Sequence, residues 1–195
     1  LGRVITNPNG DKKLCYQSID SCIQYLYQLD CSHIITVESL IKAKGVNFHS
    51  ELNEVQNAMV DAGGSQCGYC TPGFIMSLLA MLESREKFTR ASVKEGLTGN
   101  LCRCTGYEQI IEAALSINSS RYSSVTKIFN SKSILADFKK QLLKPVFCTF
   151  EESWNGIDRK FKYFVPISLK EALYFKKKND NVTIVAGGTD ISVQM

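Results

Sequence analysis

The sequence has 195 residues, of which 44% are hydrophobic and 22% are charged, and a net charge of +4. This profile is typical of one or two globular domains, each able to bury a core. The mild charge and scattered lysines argue against a nucleic-acid-binding surface, and the longest apolar stretch is too short to span a membrane.

The first 45 residues are predicted to be rich in β-structure. The segments GRVIT (2–6) and IITVESL (34–40) have the composition of short strands, and NPNG (7–10) suits a hairpin turn. Residues 18–29 suit a turn that enters a short helix. This piece is too small for a complete domain, so we expect it to be the end of one that begins upstream.

Residues 46–118 are predicted to be helical. Val55, Met59 and Ala62 share one helix face before two glycines that favour termination. Three further segments have helical apolar patterns: Pro72 to Glu83, Thr89 to Leu97 and Tyr107 to Ile117. Four short helices of this kind would form a compact bundle.

Residues 119–162 are predicted to be a linker, because the preceding stretch is rich in serine and the periodicity weakens; part of the segment could be helical. From 163 onward the pattern sharpens. Ser168 and Glu171 fit a capping box, and VTIVA (182–186) has the composition of a buried strand. We expect residues 163–195 to begin an α/β domain that this fragment does not finish.

Eight cysteines occur in the sequence. No basic segment followed by an apolar stretch opens the chain, so we expect a cytoplasmic protein in which close cysteine pairs bind metal or perform redox chemistry. Cys67 and Cys70 are followed, after 31 residues, by Cys102 and Cys104. Four thiolates suit tetrahedral zinc or an iron–sulfur cluster, and the Cys-x-Cys spacing is unusual for zinc.

The residues after each pair favour a negatively charged centre. Thr71 is a predicted N-cap with Pro72 at the first helical position, and Thr105 is a second N-cap with Glu108 in a capping box. Both helix N-termini would then face the thiolates, which suits a redox cluster that becomes more negative on reduction. Arg103 either adds positive charge or is an ordinary surface residue.

The motifs GSQCGYCTPGFIMSLLAML and LTGNLCRCTGYEQIIEAAL resemble the helical 2Fe–2S domain of the xanthine dehydrogenase/aldehyde oxidase family of molybdenum hydroxylases. The resemblance implies that Cys67, Cys70, Cys102 and Cys104 ligate one 2Fe–2S cluster. It also places Gln66 beside a molybdopterin cofactor held by a separate subunit or domain; the alternative for Gln66 is an ordinary loop amide.

The same family carries a plant-type ferredoxin domain before the helical one. YQSIDSCIQYL resembles the segment with the fourth ligand of that domain's cluster, which makes Cys22 the candidate and places its three partners upstream of Leu1. The remaining cysteines match no ligand position and are expected to be free structural thiols: Cys15, Cys31 and Cys148. The two histidines, His33 and His49, are expected on the surface or in loops.

The family often continues into a flavin domain, and VAGGTDI resembles its FAD-binding strand and loop. The glycines would let backbone N–H groups close around a pyrophosphate, although a tight turn is the alternative. The residues of this candidate site are Val185, Ala186, Gly187, Gly188, Thr189, Asp190 and Ile191.

Together these features predict an α+β multidomain fragment: the remnant of a β-grasp 2Fe–2S ferredoxin domain, a four-helix 2Fe–2S domain and the α/β start of an FAD-binding domain. The resemblance implies electron transfer from a molybdopterin-binding partner subunit through 2Fe–2S clusters to FAD and NAD, in xanthine or hypoxanthine oxidation, with no acid–base catalyst on this chain. The alternatives are the iron–sulfur subunit of a hydroxylase acting on aldehydes, CO or N-heterocycles, and a zinc-stabilised interaction module.

Overall fold

The computed structural model describes residues 1–41, 52–84 and 87–194. They form two compact units. The helical unit comprises Leu1–Asp20 and Ser32–Ser131, and the hairpin unit comprises Ser21–Cys31 and Lys132–Met195. The predicted boundary between residues 45 and 46, like His49, lies outside the described residues. Within the described ranges, no helix is long and apolar enough to cross a membrane.

The helical unit begins with three short strands, β1 (Gly2–Thr6), β2 (Lys12–Tyr16) and β3 (Ser32–His33). They form a small antiparallel sheet in the order β2-β1-β3. The predicted strand at 2–6 and the turn at 7–10 are present, and Gly10 takes a positive φ of 85°. The predicted strand over 34–40 is wrong, because only Ser32 and His33 pair with β1 and Val37–Leu40 forms a 3₁₀ helix.

Packing explains why the chain leaves the sheet at this point. Ile35 is 8% exposed and Leu40 is 3% exposed, and both belong to the core that the helices build. The burial of two large aliphatic side chains stabilises the fold by a few kcal/mol, on the order of 2 for each, which outweighs a weak preference for strand.

Four helices form the rest of this core: α1 (Glu54–Asp61), α2 (Thr71–Glu83), α3 (Arg90–Gly96) and α4 (Glu108–Ser116). Asn53 caps α1 by accepting hydrogen bonds from the Val55 and Gln56 amides at 2.8 and 2.9 Å. Gly63 follows α1 with φ 62°, a conformation that ends helices. Thr89 caps α3 through the amide of Ser92.

Helices α1 and α3 each pack against both α2 and α4. The largest fully buried side chains of the core come from all four helices and from the segment after α4: Phe74, Met59, Leu78, Ile110, Val55, Val93 and Val125. Because interiors are close-packed, the start of each helix is held in a fixed position relative to the others. This matters for α2 and α4, whose first turns follow the two cysteine pairs.

A carboxylate ties the segment after α4 to the end of α2. Glu83 Oε1 accepts hydrogen bonds from the Tyr122 hydroxyl at 2.5 Å and from the Val125 amide at 2.7 Å. Val125 is the first residue of the short helix α5 (Val125–Ile128). Burial and the neighbouring Glu83 carboxylate raise the pKa of Tyr122 far above its usual value, so this hydroxyl stays a hydrogen-bond donor.

The hairpin unit is built on two antiparallel strands, β4 (Val146–Trp154) and β5 (Ile157–Val165). Asn155 and Gly156 connect them with φ values of 51° and 75°, as a two-residue type I′ turn requires. The unit also contains α7 (Leu169–Lys178), α8 (Ile191–Gln194) and, from Lys132 onward, α6 (Ser131–Gln141).

Much of the segment predicted to be a linker, 119–162, therefore has regular structure, and that prediction is wrong for the hairpin. The helix α6 falls where a partly helical stretch is predicted. Aromatic side chains hold the hairpin unit together: Phe164 stacks on Phe175 with ring centroids 4.7 Å apart, and Tyr27 contacts Tyr163 at 3.9 Å.

The predicted strand at 182–186 is also absent from the structure. A strand needs a neighbour to receive its backbone hydrogen bonds, and the described chain offers none to this segment. Ile184 is 75% exposed, so it does not occupy the buried position expected of it. The helix predicted just before it is present, and the Ser168 hydroxyl accepts a hydrogen bond from the Glu171 amide.

We expect Glu83→Ala to lower the stability of the helical unit by about 2 kcal/mol, because it leaves the buried Val125 amide without an acceptor. Tyr122→Phe, which removes one donor, is expected to cost about 1 kcal/mol. The midpoint of thermal unfolding of the full chain, measured anaerobically, tests both. Glu95→Ala is the matched control, since Glu95 is an exposed acidic residue in the last turn of α3. Equal midpoints for Glu83→Ala and Glu95→Ala would contradict the expectation.

Candidate metal centre

The two cysteine pairs meet at one place on the helical unit. The Sγ atoms of Cys67 and Cys104 are 3.5 Å apart, although the residues are 37 positions apart in the sequence. The thiols of Cys70 and Cys102 are likewise neighbours, and each shifts the pKa of the other. The four sulfurs are therefore grouped as two neighbouring pairs, and each pair takes one member from each loop.

Contacts between the first turns of α2 and the loop before α4 bring the pairs together. The Asn100 amide donates to the Ser77 hydroxyl at 2.8 Å, which anchors the loop to the buried side of α2. A Cβ atom on Gly73 would lie 3.0 Å from the side-chain oxygen of Asn100, so glycine permits this close approach. The rings of Phe74 and Tyr107 meet edge to face at 6.2 Å.

The second cysteine loop differs from its prediction. Thr105 is not an N-cap: α4 begins at Glu108, and its N-cap is Tyr107, whose φ of 72° lies in the left-handed region. The Thr105 hydroxyl instead lies 3.2 Å from Cys102 Sγ, and its backbone N–H lies 3.5 Å from the same sulfur. The left-handed turn aims the Tyr107 ring back at the loop, where its hydroxyl accepts the Cys102 N–H at 3.1 Å.

The first cysteine loop differs in a similar way. The helix α2 begins one residue earlier than predicted, so that Cys70 is the N-cap and Thr71 lies inside the first turn, followed by Pro72. The Thr71 hydroxyl bonds the Ser65 hydroxyl at 2.8 Å, which closes the loop that carries Cys67. Helix α2 nevertheless begins directly after a thiol, as predicted, whereas α4 begins four residues after Cys104.

The thiol pKa values follow these contacts. A hydrogen bond from the Thr105 hydroxyl, aided by backbone N–H groups, lowers the pKa of Cys102 to about 7. Burial raises the pKa of Cys70 to about 11. The Tyr69 amide lowers the pKa of Cys67, and the hydrogen bond that Cys104 donates to Cys67 raises the pKa of Cys104.

Each pair thus joins one thiol that ionises easily to one that retains its proton. Metal ligands must be thiolates, so loading a metal displaces these protons and is favoured as the pH rises.

The distance between the sulfurs of Cys67 and Cys104 fits two thiolates bound to one metal ion. Metal–thiolate bonds of about 2.3 Å at tetrahedral angles separate two thiolates on one ion by about 3.8 Å. The distance of 3.5 Å between Cys67 and Cys104 is close to this value. Across the described residues, no three His, Cys, Asp or Glu side chains are arranged to hold one ion. Two sulfurs from each loop, shared pairwise, are the donor set that a 2Fe–2S cluster uses.

The other residues predicted to take part in a site are mostly exposed. Gln66 is exposed next to Cys67, and Arg103 is exposed between Cys102 and Cys104. Cys22 is an exposed thiol in a 3₁₀ helix of the hairpin unit, Cys15 is half-buried in β2, and Cys148 is exposed in β4. Cys31 is half-buried with a positive φ of 51°.

The predicted flavin loop is mostly exposed. Gly188 has a φ of 78°, and a Cβ atom on Gly187 would meet no atom within 4 Å. Ile191 begins the four-residue helix α8.

Comparisons with known proteins agree with the sulfur geometry. Residues 36–115 match the 2Fe-2S binding domain family. Over its whole length the chain is 28% identical to a xanthine dehydrogenase of Dictyostelium discoideum, of which it spans 16%. Over 50% of its length it is 42% identical to one of the probable xanthine dehydrogenase subunits of Bacillus subtilis, of which it spans 53%.

The chain is also similar to a solved structure, quinoline 2-oxidoreductase from Pseudomonas putida 86, with 38% sequence identity and a TM-score of 0.36. The matched region covers 42% of this chain and 46% of the chain in that structure.

The helices, the paired thiols and the match over 36–115 define a 2Fe–2S-binding protein. Its relatives refine what the chain resembles, because those of Dictyostelium discoideum and Bacillus subtilis are named as a xanthine dehydrogenase and a probable xanthine dehydrogenase subunit.

Serine substitutions should separate ligand cysteines from the others. We expect Cys67→Ser, Cys70→Ser, Cys102→Ser and Cys104→Ser each to reduce bound iron and acid-labile sulfide at least several-fold, because an alcohol is a poor ligand for a site built for thiolates. Cys15→Ser and Cys148→Ser are matched controls and should retain the content of the unmodified chain. Loss of iron from a control, or its retention in a ligand variant, would contradict the assignment.

Proposed function

We propose that this chain is the electron-transfer component of a molybdenum hydroxylase, with Cys67, Cys70, Cys102 and Cys104 as the ligands of one 2Fe–2S cluster. The observation that carries the proposal is the grouping of these sulfurs into two pairs, with 3.5 Å between the Sγ atoms of Cys67 and Cys104. When bound, such a cluster exchanges one electron at a time. The chain supplies the ligands, the spacing and the electrostatic surroundings.

The surroundings of the sulfurs favour a centre with net negative charge. The first turns of α2 and α4 follow the thiols, and free N–H groups at helix N-termini stabilise anions. The Cys102 sulfur also receives the Thr105 hydroxyl and backbone N–H. A zinc ion with four thiolates carries the same charge at all times, whereas a redox centre gains a further negative charge on reduction. These hydrogen-bond donors are suited to stabilise that added charge.

The exposure of the sulfurs is consistent with electron exchange between this chain and a partner. Cys67 and Cys104 are exposed, whereas Cys102 is only 6% exposed. Gln66 is exposed beside Cys67, and we place it next to a molybdopterin cofactor carried by a partner subunit or domain. In this arrangement, one edge of the centre faces the electron donor and the other lies against the core.

The proposal extends to a flavin and to a second cluster. The alignment with the Dictyostelium discoideum xanthine dehydrogenase covers the whole chain, residues 163–195 included. The resemblance of residues 185–191 to an FAD-binding strand and loop carries their proposed contact with FAD, with NAD as the final acceptor. Cys22 would ligate a first 2Fe–2S cluster together with cysteines on a preceding stretch of chain. The names of the relatives favour xanthine or hypoxanthine as the substrate, bound on the molybdopterin subunit.

Metal analysis of the full chain, purified without oxygen, tests the central proposal. We expect two irons and two acid-labile sulfides per chain, about one of each for every pair of thiolates, and the red-brown absorption of a 2Fe–2S protein. Four of each would show that the first cluster is also built. One zinc without sulfide would overturn electron transfer and leave a colourless, zinc-stabilised interaction module.

Flavin content tests the role of 185–191 separately. In the assembled enzyme, we expect Gly187→Val to lower bound FAD at least about tenfold, because a branched side chain blocks the backbone approach to a pyrophosphate. Iron content should not change. Thr183→Val, an exposed substitution just outside the loop, is the control. Unchanged FAD in the Gly187 variant would remove the loop from the flavin site.

A further inference from the structure

Thr105 has an unusual position for a threonine that follows a ligand cysteine. It is 9% exposed, and its hydroxyl oxygen lies 3.2 Å from Cys102 Sγ rather than at the end of a helix. The same oxygen accepts the N–H of Tyr107 at 3.3 Å. Its backbone N–H lies 3.5 Å from Cys102 Sγ, so one residue directs two donors at one sulfur.

Counting protons fixes the direction of the hydroxyl bond. A threonine hydroxyl has one proton to donate, and its oxygen can also accept. In Thr105 the accepting role is taken by the Tyr107 N–H. A ligand cysteine is a thiolate and has no proton. The Thr105 proton must therefore be donated to Cys102 Sγ whenever that sulfur is a metal ligand.

This hydrogen bond affects the two redox states of the site unequally. Adding one electron increases the negative charge that the sulfurs share, and no proton is needed to balance the change. A hydrogen bond to a charged acceptor is stronger than one to a neutral acceptor, and it strengthens as the acceptor becomes more negative. Because Thr105 is buried, water does not substitute for its hydroxyl.

A second threonine in the same sequence context provides the comparison. Thr71 follows Cys70 as Thr105 follows Cys104, but its hydroxyl bonds Ser65 at 2.8 Å and not a sulfur. The two Cys-Thr dipeptides are identical in sequence and differ in what the hydroxyl contacts. Removing the Thr71 hydroxyl therefore perturbs the same kind of loop without removing a donor to sulfur.

We propose that Thr105 is a positioning residue that sets the reduction potential of the metal centre through its hydroxyl hydrogen bond to Cys102. The inference rests on the proposed function, because it assumes a 2Fe–2S cluster on the four cysteines. It assigns the buried hydroxyl a role in holding the added electron, in addition to shaping the loop.

A potentiometric titration with dithionite as the electron donor, followed by visible absorption, tests the proposal on the full chain. Thr105→Val replaces the hydroxyl by a methyl group of similar size. We expect its equilibrium constant for one-electron reduction to fall about tenfold, which corresponds to a potential lower by about 59 mV. Thr105→Ser retains the donor and should stay near the unmodified chain, and Thr71→Val should leave the potential unchanged.

The possible outcomes distinguish a failure of the proposed role of Thr105 from a failure of the proposed function on which it rests. If the unmodified chain contains no iron and sulfide, the proposed function fails. If Thr105→Val contains a full cluster at the unmodified potential, or if Thr71→Val shifts the potential equally, only the role of Thr105 fails.

If the valine variant does not bind iron and sulfide, Thr105→Ala takes its place, because it removes the hydroxyl without adding a methyl group. Loss of iron from both variants, with the serine variant loaded, would make the hydroxyl an assembly residue and overturn the proposal.

Discussion

The requirement that four sulfurs converge governs the architecture of the helical unit. Two loops that are far apart in the sequence must place their thiols within a few ångströms, as Cys67 and Cys104 do at 3.5 Å. Neither loop can achieve this by local structure. The buried face of α2, with Phe74 and Leu78 fully enclosed, fixes the loop before it and the loop before α4 in the same frame. The metal centre is thus a product of core packing.

The two Cys-Thr dipeptides show how the fold gives equal sequences unequal roles. Thr71 lies in the first turn of α2 and bonds Ser65, whereas Thr105 lies before a left-handed turn and bonds Cys102. The difference arises at Tyr107, whose backbone is held at φ 72° while its hydroxyl binds the Cys102 amide. Such a conformation is costly for a tyrosine, so the surrounding contacts must stabilise it.

Sequence patterns predict the features that depend on nearby residues. Apolar periodicity places α1 to α4 to within a residue or two, and cysteine spacing identifies the sulfurs that the fold brings together. The Asn155-Gly156 turn is also a local signal, although it lies inside a segment predicted to be a linker. The strand expected at 182–186 and the helix starts expected from Thr71 and Thr105 are wrong, because neighbouring strands and tertiary hydrogen bonds decide these features.

The uneven exposure of the sulfurs has a consequence for how the protein matures. Before metal is inserted, the exposed thiols of Cys67 and Cys104 are neighbours, and one of them ionises readily. A thiolate beside an accessible thiol is the arrangement from which oxidants form a cystine. That bond would consume one ligand from each loop, whereas Cys102 is shielded by the core. Insertion of the proposed cluster and oxidation would therefore compete for the same two sulfurs in the newly made chain.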